Sequence, residues 1–246
     1  MDNKSLLVDI GSLGGLPPEW NFKDSNFVTY LCDPQERINE SYEFKYLEGC
    51  AFSYDGEVEF YITNKVELSS IFKPNYQFIK RFPRAERFQV ISSKKVKSFR
   101  LDSVKELHNG ALLGIKIDSQ GSEFEILQGA KKLVLNSLPF LFLEVHFEEV
   151  YLNIKLQSTI DQYLREFGYE LHFLKTHVWN LNDKNIGIKT DGALICWADA
   201  IYLPKIEALS SISPSKLHIG DRLKIAKNYG LTDYAQLLID MKSLND

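Results

Sequence analysis

Two stretches of this chain are almost wholly apolar: GALLGIKID at residues 110–118 and LPFLFLEVHF at 138–147. A strand without polar alternation has both faces buried, which is the mark of a parallel sheet covered by helices. Between the two, Phe124, Leu127, Ala130, Leu133 and Val134 recur at helical spacing. Buried strand, helix, buried strand is the repeating unit of an α/β fold. The apolar run Ser5–Ile10 and the segment 26–32 read as earlier strands of the same sheet.

The remaining segments fill in around that sheet. Pro17 and Pro18 suit the first positions of a short helix. Strands at 46–54 and 57–63 flank Asp55-Gly56, a strong hairpin signal, and Asp33-Pro34 closes the second strand ahead of a helical stretch. Residues 64–98 read as irregular. Ser122 and Glu125 have capping-box spacing, and a helix over 156–167 ends at Gly168. Closely spaced strands at 169–174 and 193–203 predict an antiparallel edge, and helical patterning returns around 223–226 and 234–239. At 246 residues and 44% hydrophobic content the chain can bury one large core. It is read as one domain over 1–204, with a helical extension over 205–246 packed on it.

Composition excludes several classes of function. A net charge of -4 gives no global attraction to nucleic acid or to a membrane. No apolar run approaches the roughly 20 residues of a membrane span, and MDNKSLLVDIG is too short for a signal peptide. Cys32, Cys50 and Cys196 are few, odd in number and outside metal spacing, so buried free thiols in a reducing, cytoplasmic compartment are expected.

Two groups of polar residues carry the chemistry. Ligands of open parallel sheets bind at the carboxyl ends of the strands. There the first strand ends in Asp9 and a loop containing Gly11, Gly14 and Gly15, and the second ends in Asp33. Asp33 can accept hydrogen bonds from both hydroxyls of a ribose, which suits either NAD or S-adenosylmethionine. A dinucleotide fingerprint starting at Gly11 needs glycines where Leu13 and Leu16 stand, so the loop favours a cofactor without a pyrophosphate. In the second group Lys116 and Asp118 share one face of a strand, and Glu144 and His146 share a face of the next. Charged groups on apolar strands require partners or a function. The structural account is a Lys116–Glu144 ion pair, and the functional one is a site. A lysine opposes a divalent cation here, so no metal is expected.

The stretches LLVDIGSLGGLPPEW, CDPQER, SSIF, IKIDSQGSEFEILQGA, FLEVHFEEVY and GALICWADAIYLP resemble, in order, the motifs of the FkbM-type methyltransferases. The resemblance runs from about residue 5 to 203. It implies a Rossmann-like class I methyltransferase fold, mostly parallel with an antiparallel C-terminal edge. It also implies S-adenosylmethionine as cofactor and O-methylation of a hydroxyl on a sugar, glycan or related natural product. By that likeness Asp9, Gly11, Gly14 and Gly15 form the cofactor loop, Asp33 holds the ribose, Ala51 lies near the adenine, and Asp118 is the strand-four acid. Leu13 stands where many methyltransferases have a glycine. Glu123 and His146 match polar positions facing the pocket, and Ser69 and Ser70 match a loop motif; Glu123, Glu144, Ser69 and Ser70 are expected to meet the substrate.

An alcohol is a weak nucleophile at neutral pH, so a base near the acceptor oxygen is expected. His146 is preferred because its ordinary pKa lies nearest neutrality, with Asp118 second and Lys116 orienting a carboxylate. Between 73 and 100, nine Lys and Arg residues face the single acid Glu86, with Tyr76, Phe78, Phe82 and Phe88 interleaved. That bias fits a phosphate-bearing small-molecule or glycan acceptor. It also keeps an RNA 2'-O-methyltransferase as runner-up, beside a non-catalytic cofactor-binding domain of the same fold.

Overall fold

The computed structural model describes residues 4–13, 16–20, 22, 26–35, 44–180 and 193–245. Its main sheet has seven strands: β1 (Ser5–Ile10), β2 (Phe27–Cys32), β3 (Phe44–Tyr46), β7 (Ala111–Ile117), β8 (Phe140–His146), β9 (Tyr169–Trp179) and β10 (Leu194–Pro204). They lie in the order β3-β2-β1-β7-β8-β10-β9. Every residue of β1 is buried, as its central place between parallel neighbours β2 and β7 requires. Leu7, Val8, Ile115, Ile117 and Leu141 are all fully buried, each contributing on the order of 2 kcal/mol. This is the expected α/β architecture.

The edge differs in detail from its reading in the sequence. β10 is antiparallel to both β8 and β9, so β9, the outermost strand, runs with the parallel set. The reversed strand is therefore one place in from the edge. β9 also extends to Trp179 rather than stopping at 174, which carries an aromatic side chain over the strand ends.

A second, three-stranded sheet stands above the first: β4 (Cys50–Ala51), β5 (Gly56–Thr63) and β6 (Val90–Phe99), ordered β4-β6-β5. It corrects two expectations. Asp55-Gly56 is not a hairpin, because β5 pairs with β6 in the register Gly56↔Ser98 to Thr63↔Val90. Asp55 instead accepts hydrogen bonds from Arg100 N, Arg100 Nε and Ser103 Oγ, which fixes the end of β6 to the start of β5. Nor is 64–98 irregular throughout. It contains the one-turn helix α1 (Tyr76–Ile79), two short 3-10 turns and β6. The expected strand at 46–54 is divided: its first residue belongs to β3 in the main sheet, and Cys50–Ala51 pair with β6.

After β7 the chain forms α2 (Glu123–Gly129) and α3 (Lys131–Ser137), then α4 (Gln157–Glu166) after β8. The Ser122–Glu125 capping box does not form; Ser122 Oγ donates to Ser119 Oγ instead. α2 lies hard against the loop after β4, since a Cβ on Gly129 would fall 1.9 Å from the Phe52 carbonyl oxygen. The C-terminal residues form α5 (Ile206–Leu209), α6 (Pro214–Leu217), α7 (Ile219–Asn228) and α8 (Thr232–Asn245). Ile225, Ala226, Tyr234 and Leu238 join the same apolar cluster as β1 and β7. Arg222, fully buried, donates to Ser137 O, Leu138 O and Leu217 O. It thereby satisfies carbonyls that the end of α3 leaves unpaired.

Pro18–Trp20 is a single 3-10 turn, and the helical stretch expected after Asp33-Pro34 lies outside the described residues. The three cysteines are free and buried. Among the described residues no helix is long and apolar enough to cross a membrane.

Candidate active site

The carboxyl ends of β1, β2 and β7 are tied together by backbone hydrogen bonds, Gly11 N to Cys32 O at 2.9 Å and Asp118 N to Ile10 O at 3.0 Å. Gly11 sits at φ +78°, and a Cβ there would lie 1.8 Å from the Asp118 carbonyl oxygen. Only glycine lets the first loop leave the sheet at this point. Here the strand order also reverses, the position at which open α/β sheets bind ligands. A cavity of about 640 Å³ opens above it, within the usual size range of cofactor and small-molecule sites. Gly11, Asp33, Ala51 and Asp118 are all on its wall. Asp33 is held by its own turn, Oδ1 accepting from Gln35 N at 2.7 Å. Gly14 and Gly15 lie outside the described residues.

Asp9 and Lys116 are register partners on β1 and β7, and the Lys116 ammonium lies 3.2 Å from Asp9 Oδ1 and 3.8 Å from Asp118 Oδ2. The structural expectation of a Lys116–Glu144 pair is thus replaced by Lys116–Asp9. Burial raises the Asp9 carboxyl, opposed by Lys116. Burial pulls the ammonium the other way, but Asp9 and Asp118 outweigh it and hold Lys116 above its ordinary value. Neither residue reaches the cavity wall. Asp9 Oδ2 is buried with no hydrogen-bond partner among the described residues.

Asp118, Glu144 and His146 do meet at the cavity. Ile117 pairs with Leu143, so Asp118 and Glu144, one step on, stand level. Gln120 Nε2 bridges them, donating to Asp118 Oδ1 and to Glu144 Oε1 at 3.0 Å each. His146 Nε2 lies 3.6 Å from Glu144 Oε1, and its ring meets Tyr151 edge-on. Burial lowers the His146 pKa to about 4, which removes the near-neutral basicity that made it the first choice of base. Burial, reinforced by Asp118, Glu123 and Asp199, pushes the Glu144 carboxyl well up.

The remaining expected substrate residues separate. Ser69 is on the wall, with Oγ accepting from Thr63 N. Ser70 is behind it, donating to Gln120 O and accepting from Phe72 N. Glu123 does not face the cavity either. Its Oε1 accepts from Ser119 N, Ser119 Oγ and Gly121 N, folding the loop that carries Gln120, while burial pushes the carboxyl up to about 7. Its role in the structure is to shape that loop.

The opposite side of the cavity is aromatic and basic. Phe82, Phe88 and Trp179 line it, Trp179 packing edge-on to Phe82 and Phe88 at 5.1 and 5.6 Å, while Trp197 stands beside His146 in the register of β10 on β8. Lys65, Arg84 and Arg87 stand at its rim, the first and last brought together by the Lys65 N to Arg87 O hydrogen bond. The basic segment of the sequence therefore divides in two. Arg84 and Arg87 reach the cavity, whereas Lys95 and Lys97 on β6 stand opposite Glu59 and Glu57.

Sequence reasoning missed Gln120, Tyr151, Trp179 and Trp197. Gln120 and Tyr151 sit inside quoted motifs, but an amide and a phenol carry no chemical signature of their own. The tryptophans arrive through the length of β9 and the register of β10. Among the described residues no cluster of His, Cys, Asp or Glu could hold a metal ion.

No curated protein matches the sequence. A solved structure, methyltransferase FkbM from Methylobacillus flagellatus KT, is similar at 14% identity with a TM-score of 0.42, covering 81% of this chain and 43% of that one. This chain therefore spans less than half the length of that protein. The family model for the methyltransferase FkbM domain matches residues 23–171, more than half of the sequence and the span that supplies Asp33, Asp118, Gln120, Glu144 and His146. The chain belongs to the FkbM methyltransferase family.

Proposed function

We propose that this protein is an S-adenosylmethionine-dependent O-methyltransferase acting on a hydroxyl of a sugar, glycan or related natural product. The carrying observation is the charge of the cavity floor. Asp33 and Asp118 line it, and the nearby cation Lys116 is engaged by Asp9. A floor of carboxylates suits a cationic sulfonium and opposes a pyrophosphate.

Bound there, S-adenosylmethionine supplies a methyl group on a good leaving group. Asp33 would accept hydrogen bonds from the ribose hydroxyls, and small, buried Ala51 would leave room for the adenine. The protein's contribution to the reaction is to orient the acceptor oxygen and give its proton a destination among Asp118, Glu144 and His146. Trp179, Phe82 and Phe88 offer apolar faces to a sugar ring, and Lys65, Arg84 and Arg87 offer charge to a phosphate on it. The acids opposite Lys95 and Lys97 work against an RNA-binding face on β6. Three buried free thiols suit the cytoplasm.

Thermal denaturation with and without ligand tests this reading. A ligand at about 100 times its Kd adds about 2.7 kcal/mol, or several degrees of Tm for a chain of this size. S-adenosylmethionine should give that shift and NAD none. Stabilisation by NAD alone would overturn the proposal, and stabilisation without transfer of labelled methyl to any glycan would leave the non-catalytic reading.

A further inference from the structure

We propose that Glu144 is the group that takes the proton from the acceptor hydroxyl, and that Gln120 is the positioning residue that holds it in place. This rests on the methyltransferase reading. As the acceptor oxygen bonds to the methyl carbon, the carbon–sulfur bond of the donor breaks and its electron pair stays on sulfur. The hydroxyl proton passes to a carboxylate oxygen of Glu144, which becomes a carboxylic acid, and water takes that proton after product leaves.

Gln120 has φ +58°, a left-handed conformation that glycine adopts without strain and a long side chain does not. Its side chain is fully used. Nε2 donates to Asp118 Oδ1 and Glu144 Oε1 at 3.0 Å each, and Oε1 accepts from the Tyr151 hydroxyl at 2.8 Å. Its carbonyl accepts from Ser70 Oγ at 2.8 Å. One residue thus joins the end of β7, β8 and the loop after β8 at the cavity wall, and the loop after β5 behind it. The geometry places two carboxyl groups on a single nitrogen. Carboxylates so close resist double ionisation, and the less solvated member is the one that takes the proton. The Glu144 side chain is 10% exposed and that of Asp118 41%, which makes Glu144 the more basic of the two, ionised and ready to accept above its own midpoint.

The surroundings agree. Asp118 and Lys116 face Glu144 from β7, Asp199 stands opposite it on β10, Glu123 lies on α2, His146 on its own strand, and Tyr151 comes from the loop beyond. Burial and the three acids favour the protonated carboxyl, and Lys116 opposes them, as does the hydrogen bond from Gln120. A base is most effective when its pKa approaches the working pH, and the shift of Glu144 is toward neutrality while that of His146 is away from it.

The test is infrared titration of the ligand-free protein, taking the difference between wild type and Glu144→Gln. A carboxylic-acid C=O band belonging to Glu144 should titrate with a midpoint clearly above the ordinary glutamate range. Asp118→Asn should lower that midpoint by removing the neighbouring charge, and it serves as the reporter should Glu144→Gln fail to fold. Gln120→Leu should raise it by removing a donor to the ionised form. In methyl transfer, Glu144→Gln should lose about 100- to 10,000-fold in kcat with S-adenosylmethionine binding unchanged. The acid limb of the wild-type pH profile should coincide with the infrared midpoint. A midpoint at the ordinary value, or an acid limb near 4 that His146→Gln abolishes, would overturn the assignment. Loss of cofactor binding by the wild type would instead sink the methyltransferase reading itself.

Discussion

At the floor of the cavity Gly11, Asp33 and Asp118 come from the ends of three neighbouring strands of one parallel sheet. At the roof Lys65 and Arg87 come from the segment joining β5 and β6 of the second sheet, and Trp179 comes from the far edge of the first. The floor is fixed by backbone: Gly11 N to Cys32 O, Asp118 N to Ile10 O, and a glycine that admits no substituent. The roof is fixed by side-chain packing and short turns, with its charged tips exposed. The floor is acidic and the roof basic and aromatic, so the two sides recognise opposite chemistry.

The comparison breaks most sharply at Gly11. Gly11→Ala forces a Cβ against the Asp118 backbone at a positive φ, which should cost on the order of 3 kcal/mol or more. Thermal denaturation should show a drop of many degrees, and cofactor binding should disappear with it. At the roof the double variant Lys65→Ala, Arg87→Ala should leave Tm and S-adenosylmethionine affinity unchanged. It should raise KM for a phosphorylated sugar acceptor about tenfold, since each exposed cation contributes about 1 kcal/mol or less. An uncharged sugar should be unaffected. The smallest effect belongs to Lys95→Ala, Lys97→Ala, on the face neutralised by Glu57 and Glu59: within about 0.5 kcal/mol in stability and no change in acceptor KM. A larger loss here than at Lys65 and Arg87 would relocate the anion site to β6.

The same division governs what could be read from the sequence. β1, β7 and β8 are legible because burial on both faces leaves no polar residue to interrupt them. Their ends then place Gly11, Asp33, Asp118, Glu144 and His146 by topology alone. β6 was hidden because its lysines and serines give no apolar signal, and its partner β5 lies more than thirty residues earlier. That long-range pairing overrode the local Asp55-Gly56 turn. Glu123 was expected at the substrate because of its motif, but three donors within the Ser119–Gly121 loop claim its carboxylate. Gln120 was passed over because its importance lies in a left-handed backbone and four hydrogen bonds, neither of which leaves a mark on composition or spacing.

The central claim, that the carboxylate at the end of β2 anchors S-adenosylmethionine in this cavity, is tested most directly by equilibrium binding of that cofactor to the wild type and to Asp33→Ala. Hydrogen bonds to a charged group contribute about 1.5–3 kcal/mol. The wild type should therefore bind one equivalent, and Asp33→Ala should bind at least about tenfold more weakly with its Tm in the absence of ligand unchanged. No binding by the wild type, or equal affinity in Asp33→Ala, would contradict the account.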